Sequence, residues 1–532
     1  MRSYNLGASV PEDAIYKDVV VIGNGPSGIM LSYILAGNWP YYTGRPHPDE
    51  MLTARLKGIP AGHSLLEEDL NFLSQADRME LFVSRKRMPS VDLAIETSWS
   101  GKSSTASPPG LEGRSNNPMS LLSDMLMHPY ADVGLELPSL LEWRHHPEHQ
   151  VDHIVLGKGP PGGAWQVMDA NILTISLGSW MQLPGVDYRL WEAVDSGSEV
   201  LSSRNCRASV RSVARYYSDY VRTRRISRFF RNRTVVTAVR PMDTALTQCR
   251  DSIDPETGMQ IHQPEVRWQV EGYDSTTRVP FTYVCNRVVL ATGANDIPNR
   301  LGVPGELDNP DYVIHDLATL EKCLDRLVEE EGIDREGSPC EAQCDPILVV
   351  GAGLSAADAV IAARFRSLPI IHVFRSKSPQ FNGRQLPEEM YPEYHKVHQM
   401  MNDRSASYPH YTAMPEHNLV EICPDKKVRL QGPDGKISVH QVSVVTILIG
   451  SRQDLSILPS NLNLASDTSR PVDCRSNPVL VDPFSYAAVR APAGMHVVGP
   501  LAGDNFVRFL QGGAIAVASN IHKDKSKRET VL

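Results

Sequence analysis

Two short runs interrupt the mixed polar and apolar background of this chain without alternating themselves: Val19-Val20-Val21-Ile22 and Ile347-Leu348-Val349-Val350. Unbroken apolar runs of this length read as strands buried on both faces, the kind found in parallel sheets. Each passes at once into a glycine-rich turn and then into a helix; Ile29, Met30, Ile34 and Leu35 give the first helix its apolar face. Further strands are predicted at His153–Leu156, Thr234–Val239, Val266–Val270, Phe281–Cys285, Arg287–Leu290, Pro369–Phe374, Val444–Ile449 and Met495–Val498. Helical spacing runs over Leu65–Leu73, Met119–Met127, Ala208–Arg224 and Gly512–Ile521, and the Ser-, Gly- and Pro-rich stretch Glu96–Asn117 predicts a mobile loop. The alternation of strands and helices predicts an α/β fold.

The turns carry the chemistry. In Gly23-Asn24-Gly25-Pro26-Ser27-Gly28 the first glycine makes the corner and the second lets backbone approach a pyrophosphate. The third lets helix pack on strand. The anion would rest on the open N–H groups and positive dipole end of the helix that begins at Pro26 and Ser27. The second turn, Gly351-Ala352-Gly353-Leu354-Ser355-Ala356, keeps the pattern with alanine as the third small residue. Two such turns suggest two dinucleotides in one enzyme. After the second, the strand Pro369–Phe374 ends in Arg375, which suits the 2′-phosphate of NADPH; the plain alternative is a surface arginine.

The first turn lacks the matching acid. If His153–Leu156 is its second strand, Gly157 or Lys158 stands where an FAD ribose would meet a carboxylate. Residues 38–150 then read as an insertion. The predicted order is a first FAD-binding segment (1–37), the insertion with its loop (38–150), a second FAD-binding segment (151–300), an inserted NADPH-binding domain (301–450), a C-terminal return to the FAD domain (451–522) and a tail (523–532).

Composition excludes more than it names. A net charge of −9 without a long basic stretch gives no nucleic-acid surface, and no run reaches the ~18–20 apolar residues of a membrane span. No basic-then-apolar signal segment opens the chain, so a cytoplasmic protein is expected. The first of eight cysteines is Cys206, too late for a redox pair beside the first turn. Cys340 and Cys344, the close pair, read as free loop thiols. His395 and His398 lack other convincing ligands, and no metal site is expected.

The order strand–GxGxxG, Gly162-Gly163-Ala164-Trp165, Ala291-Thr292-Gly293, strand–GxGxxA resembles the flavin-containing monooxygenases. Closer still is the resemblance to the oxidative stress-induced growth inhibitor family. It is carried by Ile22–Gly28, Leu111–Pro118, Leu156–Trp165, Ile172–Gly185, Tyr391–Lys396 and Gly499–Gly513, and covers most of residues 15–522. Residues from about Ala76 to Gly110 depart from it.

The resemblance implies a two-dinucleotide-binding-domain flavoprotein, a Rossmann-like FAD domain with an inserted NADPH domain, linked to restraint of cell growth and to differentiation. Oxygen would pass from a flavin hydroperoxide to a nucleophilic substrate that the sequence does not identify. Gly162, Gly163 and Trp165 would lie against the flavin nucleotide. Asp504 would lie near the ribityl chain or ring, or is only a turn residue. Ser176 stands where many monooxygenases place an asparagine over the flavin, and a serine reaches less far. The alternative is a catalytically weak or inactive nucleotide-binding regulator of cell growth and death, favoured by the missing acid and by Ser176.

His315 resembles the monooxygenase fingerprint histidine or is structural, and Tyr216, Tyr217 and Tyr220 read as core or interface. The C-terminus Glu529-Thr530-Val531-Leu532 has the form that PDZ domains capture by strand addition, a short pattern that also arises by chance.

Overall fold

Val19–Ile22 is the buried end of the strand Ile15–Ile22, an interior strand of a seven-stranded sheet. The computed structural model describes residues 13–74, 115–131, 135, 137–203, 206–242, 252–253, 260–261, 267–330, 344–377, 386–403 and 408–531. His153–Leu156 and Pro280–Leu290 flank Ile15–Ile22 in parallel. Phe230–Arg231 pairs with the outer side of His153–Leu156, and the antiparallel strands Trp268–Asp274 and Thr234–Pro241 extend the sheet on the other side. At 11 residues, Pro280–Leu290 serves two neighbours along one edge: its first part pairs with Trp268–Asp274, and Val288–Leu290 pairs with the returning strand Met495–Val497.

Five parallel strands form the second sheet, in the order Val313–Ile314, Val444–Ile447, Ile347–Val350, Ile370–Phe374, Tyr411–Pro415. Parallel neighbours cannot be joined by hairpins, so helices such as Leu354–Phe365 and Pro392–Asp403 make the crossovers. The chain enters this unit after Ile297–Pro298 and leaves at Ser451–Arg452, and these two segments pair with each other. The second sheet is thus spliced into the first unit through one two-stranded neck.

Residues 38–150, read from sequence as an insertion, contribute to the core of the first unit. Asn38–Tyr42 pairs with Leu141–His145, and helices Glu50–Leu56, Leu70–Ser74 and Pro118–Met127 lie between them. Leu56, Leu66, Met119, Leu122 and Leu126 belong to the same apolar cluster as Val19–Ile22. A Cβ on Gly512 would fall 2.3 Å from the Met119 carbonyl, so helix Pro118–Met127 and the last helix approach backbone to backbone. The predicted loop Glu96–Asn117, apart from its last three residues, falls outside the described residues, as do residues 76–110 and Cys340.

The last helix runs from Leu510 to Val531, starting before Gly512 and absorbing most of the predicted tail. Contacts there explain the extension: Asp524 pairs with Arg287 at 2.7 Å, and Lys523 Nζ donates to the Glu68 carbonyl at 2.5 Å. The side chains of Glu529–Leu532, the PDZ-like motif, lie outside the described residues. Among the described residues no helix is long and apolar enough to cross a membrane.

Candidate functional site

Gly23 turns the chain at φ +112°, where an L side chain is strained, and a Cβ there would meet the Ala291 carbonyl at 2.2 Å. Gly25 is the N-cap of helix Pro26–Leu35, Pro26 opens its first turn, and no side chain caps it. The first N–H groups, Ser27 and Gly28 among them, are therefore left for another partner. Gly28 holds the helix against the turn, since a Cβ would lie 2.1 Å from the Gly23 carbonyl. Gly25 itself is uncrowded: an added Cβ would make only an ordinary van der Waals contact, with the Gly163 Cα at 3.9 Å.

The Gly-Gly turn folds back on this corner. Gly162 N–H donates to the Asn24 carbonyl at 2.8 Å, and Gly163 (φ +58°) could not carry a Cβ without approaching the Gly25 Cα to 2.8 Å. Gln166 Nε2 pins the turn to helix Val210–Thr223 through the Ala214 carbonyl at 2.8 Å and Ser218 Oγ at 2.9 Å. Trp165 sits half-buried beside Tyr217, ring centroids 6.4 Å apart. Tyr216, Tyr217 and Tyr220 lie in the core, their hydroxyls donating to the Val186, Met181 and Pro184 carbonyls at 2.7, 3.0 and 2.9 Å.

The missing acid has a steric counterpart. Asn24, 3% exposed, donates from Nδ2 to the Gly159 carbonyl at 2.7 Å and to Asn232 Oδ1 at 3.2 Å. Its amide fills the space beside Gly157 so completely that a Cβ there would lie 2.1 Å from Nδ2. Gly157→Glu alone is therefore expected to destabilise the protein by about 2 kcal/mol through overpacking. Asn24→Gly in the same chain should relieve it, read by urea denaturation; equal stability of the single and double variants would refute the steric account.

Asp504 is fully buried. Its Oδ1 accepts from Ser115 Oγ at 2.5 Å and Asn117 Nδ2 at 2.8 Å, and its Oδ2 from the Tyr486 hydroxyl at 3.0 Å. Burial pushes this carboxyl up to about 6, against those donors. Two further buried atoms, Thr292 Oγ1 and Gln511 Oε1, have no hydrogen-bond partner among the described residues. One follows the Ala291 carbonyl that crowds Gly23; the other opens the last helix. Buried orphans of this kind call for a ligand or water.

At the second turn Gly351 (φ +140°) sits against the Leu448 carbonyl, 2.3 Å from a notional Cβ. Gly353 caps helix Leu354–Phe365 without a side-chain bond, and a Cβ on it would meet nothing within 4 Å. Ser355 is exposed in the first turn of that helix, Ala356 is buried beneath it, and Arg375 is exposed at the end of Ile370–Phe374. His372, inside that strand, bonds the Gly351 carbonyl through Nε2 at 2.7 Å and the Tyr411 hydroxyl through Nδ1 at 2.9 Å. The sequence shows it only as a polar break in an apolar run. Burial holds it down to about 4, so it is neutral, with Nε2–H donating to the turn.

Ser176 lies half-buried on Leu173–Leu177, and its hydroxyl makes no hydrogen bond among the described residues. That strand meets the second unit. Arg207 Nε donates to the Thr174 carbonyl at 2.6 Å, while its guanidinium pairs with Glu393 and lies 4.5 Å from the Tyr391 ring. The Tyr391 hydroxyl donates to the Ile175 carbonyl. Nothing in the sequence around Arg207 marks it as this clamp. His315, by contrast, bonds the buried Glu306 at 3.0 Å, as a structural histidine would.

No family model matches the chain. Human oxidative stress-induced growth inhibitor 1 is 38% identical to it over 537 residues, covering 99% of both chains. Human oxidative stress-induced growth inhibitor 2 is 36% identical over 537 residues, covering 97% of this chain and 95% of the relative. Among solved structures, a bacillithiol disulfide reductase from Bacillus cereus aligns at TM-score 0.53 and 13% identity, covering 96% of this chain and 99% of that one. At that identity the likeness is one of fold. The fold is that of the two-dinucleotide-binding-domain flavoproteins.

Proposed function

The chain belongs to the oxidative stress-induced growth inhibitor family, and from that premise we propose that it is a cytoplasmic FAD- and NADPH-dependent monooxygenase that restrains cell growth. The observation that supports this best is the pair of helix N-termini without side-chain caps, each approached through an uncrowded glycine, Gly25 and Gly353. FAD fits the first turn, where Thr292 Oγ1 lacks a partner among the described residues, and NADPH fits the second, where Arg375 is exposed.

Bound FAD would supply the redox and oxygen-activating chemistry, and NADPH the electrons. The chain's own part is to bind, orient and exclude water. Gly23, Gly25, Pro26, Ser27 and Gly28 form the flavin pyrophosphate cradle; Gly162, Gly163 and Trp165 wall it. Asp504 holds the last helix's approach to the site. Gly351, Gly353 and Ser355 present N–H groups to the second pyrophosphate, and Arg375 reads the 2′-phosphate. Ser176 offers its hydroxyl as the hydrogen-bond donor at the reacting face. The substrate is a small nucleophile.

Arg375→Ala is expected to raise the KM for NADPH about 10–100-fold, the scale of one lost charge-assisted bond, with NADH use and flavin content unchanged. Equal losses with NADH and NADPH would remove the assigned role. The activity itself is tested by flavin content and by NADPH-driven, substrate-dependent oxygen uptake of the purified protein. A second reading, a nucleotide-binding regulator with little turnover, draws on Gly157 and the Asn24 amide that closes the acid's place. Colourless protein that FAD cannot reconstitute would support it and sink the enzyme.

A further inference from the structure

The other end of the first helix carries a second constellation. Gly37, at φ +97°, accepts from His146 N–H at 2.7 Å and admits no Cβ, which would fall 2.3 Å from the His146 carbonyl. This close backbone pairing fixes the end of strand Leu141–His145 and the 3-10 turn Pro147–His149 that follows it. Three side chains of that turn converge: one ligand atom each of His146, Glu148 and His149 lie within 4.8 Å of one another. His146 Nδ1 faces Glu148 Oε1 at 3.2 Å.

Both imidazoles are already oriented. His146 Nε2 is 2.9 Å from the Tyr41 hydroxyl, an outer partner that can take the ring proton on Nε2 when a cation replaces the proton between Nδ1 and Glu148. His149 stacks on Trp39, centroids 4.0 Å apart and planes 9° from parallel. The nearby Arg144 guanidinium lies over Tyr41 and pairs with Glu142, and Lys525 lines the small pocket shared by His149 and His522.

We propose that His146, Glu148 and His149 bind one divalent cation of the zinc type, at a site separate from both nucleotide turns. Two imidazoles and a carboxylate are a zinc donor set, with exposed Glu148 leaving a coordination position to water. Tetrahedral zinc needs donors about 3.3 Å apart, which small side-chain rotations within 4.8 Å supply. The 10-residue helix Pro26–Leu35, about 15 Å long, separates this turn from Gly25, so metal and flavin should bind independently.

The test titrates chelator-stripped full-length protein with zinc sulfate and repeats the measurement with cobalt(II). Expected is one saturable equivalent in the micromolar range, a cobalt spectrum without thiolate charge transfer, and affinity weakened about 100-fold or more by His146→Ala or His149→Ala. Tyr41→Phe should weaken it about 10–100-fold with flavin content unchanged. Absence of saturable micromolar binding, or wild-type affinity in the double histidine variant, would overturn the proposal.

Discussion

Asp124→Ala is expected to destabilise the protein by about 3–5 kcal/mol and to strip flavin from what remains folded. Asp124 and Arg508 are 2% and 1% exposed, joined Nη2 to Oδ2 at 2.6 Å and again through Nε, with the guanidinium 4.8 Å from the Trp180 ring. Removing the carboxylate takes the bidentate charge partner from a buried guanidinium, and the penalty is set by that loss rather than by the net worth of the pair. Against a total stability of about 5–15 kcal/mol this is a large fraction. The site suffers because the pair joins helix Pro118–Met127 to the segment before the last helix. Along the same contact Ser120 Oγ meets the Tyr486 hydroxyl at 2.8 Å, and Ser115, Asn117 and Tyr486 hold Asp504. Asp124→Ala/Arg508→Met removes both charges and should recover much of the loss. Urea midpoints and flavin content decide it; a single variant within 1 kcal/mol of wild type would mean the pair does not hold this contact.

The two glycine turns were legible because their constraints are steric and short-ranged. A strand that must turn at positive φ and then admit a close helix accepts few residues, and Gly23, Gly28 and Gly351 announce it. The second sheet was legible for a related reason: strands buried on both faces show as unbroken apolar runs. That residues 38–150 join the core is not legible because their helices are short, and what buries them is far away in the chain. Leu66 shows only as an apolar residue, yet its carbonyl accepts from Ser519. The departure at Gly157 was visible but not its cause, since Asn24 occupies a variable position of the turn and its amide acts across 133 residues of sequence. His372 and Arg207 act through a tautomer and a clamp, and neither leaves a periodic trace. The His146–His149 turn is not legible in the sequence because its side chains gain their orientation from Tyr41 and Trp39 on another strand.

Acidification is expected to unfold the protein cooperatively, with stability falling by about 2 kcal/mol per pH unit between roughly pH 6 and 4.5. His128, His153, His372 and His496 are held neutral by burial, down to about 3 for His128 and about 4 for the others. The unfolded chain binds a proton on each imidazole near its ordinary 6.5, whereas the native state refuses it until far lower pH. Their contribution is therefore complete above about pH 6.5 and is lost as the pH falls toward 4. Buried carboxyls act in the opposite sense: Asp358 is pushed up to about 7 and Asp504 to about 6, chiefly by burial, and Glu321 is raised as well. These take up protons in the native state first and so stabilise it on acidification. Four imidazoles against two to three carboxyls leave the unfolded state binding one to two more protons, which sets the slope. The two groups also separate by place. His372 stays neutral until about pH 4 and its Nε2–H keeps the bond to the Gly351 carbonyl, while Asp504 gains a proton beside the first turn near pH 6. Flavin retention should accordingly weaken at higher pH than NADPH affinity does. Urea midpoints from pH 7.5 to 4.5, with flavin fluorescence and NADPH binding followed on the same samples, test both statements. A stability flat across that range would show that the buried imidazoles do not govern acid unfolding.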